Sequence, residues 1–209
     1  MKEKKKPIIV LTGPSAAGKS DMQTFCLKGD KTDFEKFVTS TNRPIRPGEV
    51  HGKDYLFHHE EGLFQEKIVQ GDFFEHEEVF KGRFYGCEYS EMERISGSGK
   101  IPLLVVDVKG ALKFAGKIQT DTIDLSKIDP QIFYIYCPIE ELIRRIQYDN
   151  AKNKRNDDQK TLEERYERMV FELSVKDQFE NIIHNFDRHQ HFTGNELINK
   201  IFEKLKRKV

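Results

Sequence analysis

The chain has 209 residues, 33% of them charged, and its 35 basic side chains are matched by 35 acidic ones. That length suits one core with an insertion rather than two independent domains, and the balanced charge offers no overall field for nucleic acid or a membrane surface, which favours small-molecule substrates. No apolar run approaches the roughly 18 residues of a membrane span, the N-terminus lacks a signal-peptide stretch, and Cys26, Cys87 and Cys137 are odd in number, widely spaced and free of C-x-x-C pattern. A reducing cytoplasm, no disulfide framework and no zinc site are therefore expected.

In chain order, Ile8–Leu11 is the first predicted strand, a short apolar run suited to a buried parallel sheet. Gly13-Pro14-Ser15-Ala16-Ala17-Gly18-Lys19-Ser20 follows it and completes a G-x-x-x-x-G-K-S/T phosphate loop, with a helix expected from about Lys19. Gly13 and Gly18 allow backbone N–H groups to curl around phosphates, Lys19 supplies a cation, and the Ser20 hydroxyl can ligate Mg²⁺. The helix directs its positive end at the same anion. This pattern predicts binding of a nucleoside triphosphate.

Residues 39–101 break the rhythm, being aromatic-rich and punctuated by glycine, and read as an inserted small mixed sheet with one or two helices. Within them Arg43 and Arg46 stand three apart, flanked by Pro44 and Pro47 and followed by Gly48, Gly52 and Tyr55. Arginine offers a rigid donor fork for phosphate oxygens, and proline limits the freedom of the loop carrying it. Further strands are predicted at Leu103–Val106, Ile132–Tyr136 and Ile182–His184, and helices at Glu140–Gln147, Thr161–Asp177 and Asn195–Lys206. Strands alternating with helices indicate a doubly wound α/β core formed by residues 1–38, 102–147 and 161–209. Residues 148–160 are almost wholly polar and are expected to form a short helical lid, and residues 116–131 a surface connection. His58, His59, His189 and His191, and the pairs Glu60-Glu61 and Glu77-Glu78, read as solvated surface groups.

Taken together, these stretches resemble the guanylate kinase family. The residues that carry the likeness are the phosphate loop, Thr39 to Phe57 (S-x-T-T-R-x-P-R-x-G-E-x-x-G-x-D-Y-x-F), Gly71-Asp72-Phe73-Phe74-Glu75, Phe84-Tyr85-Gly86-Cys87, Val105-Val106-Asp107-Val108-Lys109-Gly110, Cys137 to Arg145 and Ile182-Ile183-His184-Asn185. Their order holds over residues 7–205, as one domain. The resemblance implies transfer of the ATP γ-phosphoryl group to GMP or dGMP with Mg²⁺, in a monomer or weak homo-oligomer. It assigns Arg43, Arg46, Tyr55 and Tyr85 to the GMP phosphate, Glu75 to guanine N1–H and N2–H₂, Thr39 and Cys87 to O6, and Asp107 to the same acceptor site. Lys19, Arg43, Arg145 and a lid or post-lid arginine (Arg155 or Arg165) would act on the transferring group, with Asn185 near the adenine.

Four positions depart from the family pattern: Asp21 beside the phosphate loop, Cys87 in place of a hydroxyl residue, Val105 in place of the first Asp of D-x-D, and Asp149 where a second arginine is usual. Two other readings stay open. One is a related kinase of another acceptor, such as ribose 1,5-bisphosphate; the other is a non-catalytic guanylate kinase-like interaction module.

Overall fold

The computed structural model describes residues 5–28, 33–151, 159–186 and 190–206. Its centre is a five-stranded, wholly parallel sheet of β1 (Lys6–Thr12), β2 (Phe34–Lys36), β7 (Ile101–Val105), β8 (Ile128–Tyr136) and β9 (Asn181–His184), in the order β2-β7-β1-β8-β9. Parallel strands need crossover connections, and α1 (Lys19–Cys26), α4 (Val108–Phe114), α5 (Ile139–Ala151) and α6 (Gln159–Ser174) lie in them, while α7 (Gln190–Lys206) follows the last strand and packs against α1 and β9. The central strand is apolar from Pro7 to Leu11 because both of its faces are covered. Ile9 and Leu11 pack with Met22, Leu142, Ile146, Met169 and Leu197, while Ile8 and Val10 pack with Phe37, Phe74, Met92 and Ile95 on the other side.

A second, mixed sheet is built from the insertion: β3 (Ser40–Thr41), β4 (Leu56–Phe57), β5 (Phe73–Phe80) and β6 (Arg83–Glu88), in the order β4-β3-β6-β5, with α2 (Leu63–Gln70) and α3 (Tyr89–Gly97) attached. Phe74 and Cys87 from this sheet enter the same buried cluster as Ile8 and Val10, so the two sheets share a core.

Two expectations need correction, and a third falls largely outside the described residues. The stretch 116–131 is more than a surface connection: Ile123 bridges Glu75, the Asp124 N–H donates to the Phe74 carbonyl (2.7 Å), and β8 already begins at Ile128. Pro130 is tolerated inside that strand because β9 pairs only with Phe133–Tyr136, leaving this part of β8 without a neighbour on that side. In the stretch expected to be a lid, α5 continues as helix to Ala151; residues 152–158, Arg155 among them, lie outside the described residues. Finally, His58 and Glu77 are partly buried and paired rather than free in solvent. His58 Nε2 lies 2.7 Å from Glu88, and Glu77 pairs with Lys109 and the buried Lys113.

Candidate active site

The phosphate loop connects β1 to α1 and is held in shape by its glycines. Gly13 adopts φ 138°, and a Cβ there would stand 2.3 Å from the Ile135 carbonyl oxygen; Gly18 (φ 90°) caps α1, and its Cβ would meet Asn185 Nδ2 at 2.6 Å. Ala16 also takes a left-handed conformation, with φ 65°, a region that disfavours a side chain. The loop turns back on itself, the Ala17 N–H donating to the Pro14 carbonyl. Lys19 folds over it, with Nζ 2.7 Å from the Gly13 carbonyl and 2.8 Å from that of Pro14.

Two arginines from different helices converge on this loop. Arg145 of α5 donates to the Ala16 carbonyl (3.3 Å) and the Asn185 carbonyl (3.3 Å) and is steadied by Glu141. Arg165 of α6 donates to Ser15 Oγ at 3.2 Å. Asn185 is buried and donates through Nδ2 to the Ala17 carbonyl (2.8 Å), so it braces the loop directly; its Oδ1 has no hydrogen-bond partner among the described residues. Ser20 is exposed at the first turn of α1.

On the insertion, Arg43 is only 4% exposed. Its fork grips Glu49 in two-pronged fashion at 2.7 and 2.5 Å, Tyr85 also hydrogen-bonds it, and its guanidinium lies 4.8 Å from the Tyr55 ring centre. The hydrogen bonds from Arg43 and from the Arg46 N–H hold the Glu49 carboxyl down at about 2. Arg43, Tyr55 and Tyr85 are thus brought together, with the Tyr55 and Tyr85 rings 5.9 Å apart, and the Arg46 side chain is exposed beside them. Thr39 accepts through its carbonyl from the Leu56 N–H and is partly buried.

Glu75 and Cys87 are cross-strand neighbours on β5 and β6. Burial raises the Glu75 carboxyl to about 7, against the opposing pull of a hydrogen bond from the Cys87 thiol and the nearby Lys113 charge. Burial, followed by the Glu75 charge, raises the thiol well above its ordinary range. The thiol is therefore a neutral donor to Glu75 in this arrangement. Asp107 caps α4, accepting from the Gly110 N–H at 2.7 Å, and is close enough to raise the Glu75 carboxyl further.

Three residues of this region escape a motif-based reading. Glu172 of α6 is 3% exposed and accepts from the Ser15 N–H at 3.1 Å. Arg168, one turn earlier, donates to Glu172 Oε1 (3.0 Å) and to Asp107 Oδ2 (2.8 Å). Glu88 is buried among Ser40, His58, Lys67 and Ser90 and ties β3, α2 and α3 together. Burial pushes its carboxyl up, but the hydrogen bonds from His58, Ser40 and Lys67 outweigh that and hold it at about 2. The available signal for Glu172 is its position beside Met169 and Leu173, an acid on the buried stripe of an amphipathic helix.

A family model described as guanylate kinase matches residues 4–204. The chain belongs to the guanylate kinase family. It is 33% identical over 196 residues to a guanylate kinase of Chlamydia trachomatis, covering 93% of this chain and 86% of the relative, and 38% identical over 179 residues to one of Chlorobium chlorochromatii, covering 85% and 86%. The crystal structure of guanylate kinase from Anaplasma phagocytophilum superposes with a TM-score of 0.60 at 25% identity, covering 97% of this chain and 87% of that one. In this guanylate kinase family member no helix among the described residues is long and apolar enough to cross a membrane.

Proposed function

We propose that the chain transfers the γ-phosphoryl group of ATP to GMP, giving ADP and GDP. The observation that carries this reading is the convergence of Lys19, Arg145 and Arg165 on one phosphate loop. Phosphoryl transfer needs two repelling anions held in line and their charge offset, and cations in a preorganised loop serve that purpose. The acceptor is a phosphate whose second ionisation lies near about 6, so it is already an anion at neutral pH and no general base is required. Arg46, Tyr55 and Tyr85 would hold that phosphate, and Arg43 would join them by loosening its grip on Glu49. Glu75, when ionised, accepts from guanine N1–H and N2–H₂, with Asp107 beside it.

Mg²⁺ fits the donor set. Among the described residues no cluster of three or more His, Cys, Asp or Glu is placed to cage a metal ion. Ser20 offers a single hydroxyl at the head of α1, which suits an ion that takes its remaining ligands from phosphates and water. When bound, Mg²⁺ would offset charge on the triphosphate. The balanced charge of the chain supports small nucleotides rather than nucleic acid as substrates, and its three buried, unbridged cysteines accord with a reducing cytoplasm.

The test is an ADP-release assay with ATP and Mg²⁺ across GMP, dGMP, AMP, UMP, CMP and ribose 1,5-bisphosphate. Turnover with GMP at a kcat/KM far above the others is the expected result. Preference for the bisphosphate, or no turnover with any acceptor, would overturn it.

A further inference from the structure

A line of polar contacts runs from the phosphate loop to the acceptor side. It begins at the Ser15 N–H, passes through Glu172 Oε2 and Oε1 to Arg168 Nε, and ends from Arg168 Nη2 at Asp107 Oδ2, with distances of 3.1, 3.0 and 2.8 Å. Two features of this line call for a role. Glu172 is buried, yet its carboxylate accepts from an N–H of the phosphate loop, a stretch whose backbone N–H groups are the donors that cradle phosphates in such loops. Asp107 already caps α4 through Gly110, so the fold does not need Arg168 to hold it in place.

We propose that Arg168 is a positioning residue that couples the two nucleotide sites, an inference that rests on the acceptor reading of Asp107 above. In the arrangement described, the guanidinium is divided between two carboxylates, and Glu172 covers the Ser15 N–H. When the guanine base engages Asp107, Arg168 loses that partner. Its fork then takes Glu172 in a two-pronged pair, the favoured geometry for arginine and carboxylate, and the carboxylate leaves the loop. The Ser15 N–H becomes available to a phosphate oxygen. Each ligand favours the second arrangement through its own contact, guanine at Asp107 and phosphate at Ser15, so each should tighten the other by the same factor. Arg168 and Asp107 are both about half exposed, which leaves the switch within reach of an arriving acceptor.

The experiment is calorimetric titration of ADP with Mg²⁺, with and without saturating GMP, a pair between which no phosphoryl group can pass. In the wild type GMP should tighten ADP about fivefold or more, within the usual range of coupling between sites. Arg168→Gln should bring that ratio to about one while remaining folded by thermal melting, and Arg168→Lys, which keeps the charge without the fork, should recover part of it. A ratio of one in the wild type, or an unchanged ratio in Arg168→Gln, overturns the coupling while leaving the acceptor reading intact. Failure of the wild type to bind GMP at all overturns both.

Discussion

Around the phosphate loop the polar groups that shape the site belong mostly to the backbone, whereas around the mixed sheet they belong to side chains already paired with one another. Gly13, Gly18 and Ala16 set the loop's curvature, and Lys19, Arg145 and Asn185 attach themselves to its carbonyls. On the acceptor side Arg43 is clasped by Glu49, Glu75 by Cys87, Asp107 by Arg168, and Glu88 by His58, Ser40 and Lys67. A backbone site is largely formed before its ligand arrives, with the Ser15 N–H, covered by Glu172, as a part that must still be released. A site of mutually satisfied side chains must exchange partners to bind, which makes it selective and sensitive to protonation.

Four substitutions test that contrast, beginning with the largest effect. Lys19→Ala removes a cation from the transferring group and should lower kcat by about 10³-fold or more. The fold should survive, since Lys19 Nζ donates to carbonyls of the loop itself, those of Gly13 and Pro14; near-normal turnover in a folded variant would remove Lys19 from the chemistry. Glu75→Gln replaces an acceptor of two donors by an amide with one acceptor and one donor. A loss of about 10–100-fold in kcat/KM for GMP is expected, with KM for ATP unchanged, as suits one charge-assisted hydrogen bond. Equal effects on both substrates would mean that Glu75 supports the fold rather than reads the base.

Glu88→Gln leaves a buried network short of its charge and should destabilise the protein by about 2 kcal/mol, a fall in Tm of roughly 4–8 °C. The sign of its pH dependence follows from the depressed carboxyl. The unfolded group protonates near 4.5 and the folded one near about 2, so the contribution is complete above 4.5 and is lost as pH falls from there through 2. Thermal melts of wild type and variant at falling pH should converge; a constant gap would place the stabilisation outside ionisation. Ala16→Gly is the smallest change. It relieves a left-handed alanine at the cost of a more flexible unfolded chain, for a net gain of up to about 1 kcal/mol by denaturant titration. A loss of stability would show that the alanine methyl packs usefully in the loop.

Much of this was legible in the sequence where a physical period or a fixed spacing carried it. The apolar runs Ile8–Leu11, Leu103–Val106, Ile132–Tyr136 and Ile182–His184 mark parallel strands, Val106 standing just past the end of β7, because covered strands are the ones that read as apolar runs. β2 was not legible: three residues, Phe34-Glu35-Lys36, with one buried side chain have no period to detect. Pro130 concealed the start of β8, because the lack of a neighbour that makes it tolerable is a property of the sheet and not of the strand. In the candidate site, spacing singled out Lys19 and Arg43 and the family resemblance pointed to Glu75, but neither told that Arg43 closes on Glu49 or that Glu75 faces Cys87. Those are pairings across a loop and across a ladder. Arg168 and Glu172 carried no motif at all; what joins them to Asp107 and Ser15 is the packing of α6 over the loop.

The sharpest difference between the halves is that the acceptor side should titrate and the donor side should not. The measurement is kcat/KM for GMP at saturating ATP, and for ATP at saturating GMP, between about pH 5.5 and 8.5, in the wild type and in Glu75→Gln. The Glu75 carboxyl is raised to about 7, so its ionised, guanine-accepting form gains ground as pH rises through that value. Kcat/KM for GMP should therefore climb with an inflection near 7 that disappears in Glu75→Gln, leaving only the ionisation of the acceptor phosphate near about 6. The ATP profile should show no inflection near 7. An inflection near 7 that persists in Glu75→Gln, or that appears in the ATP profile instead, would contradict the placement of base recognition at Glu75.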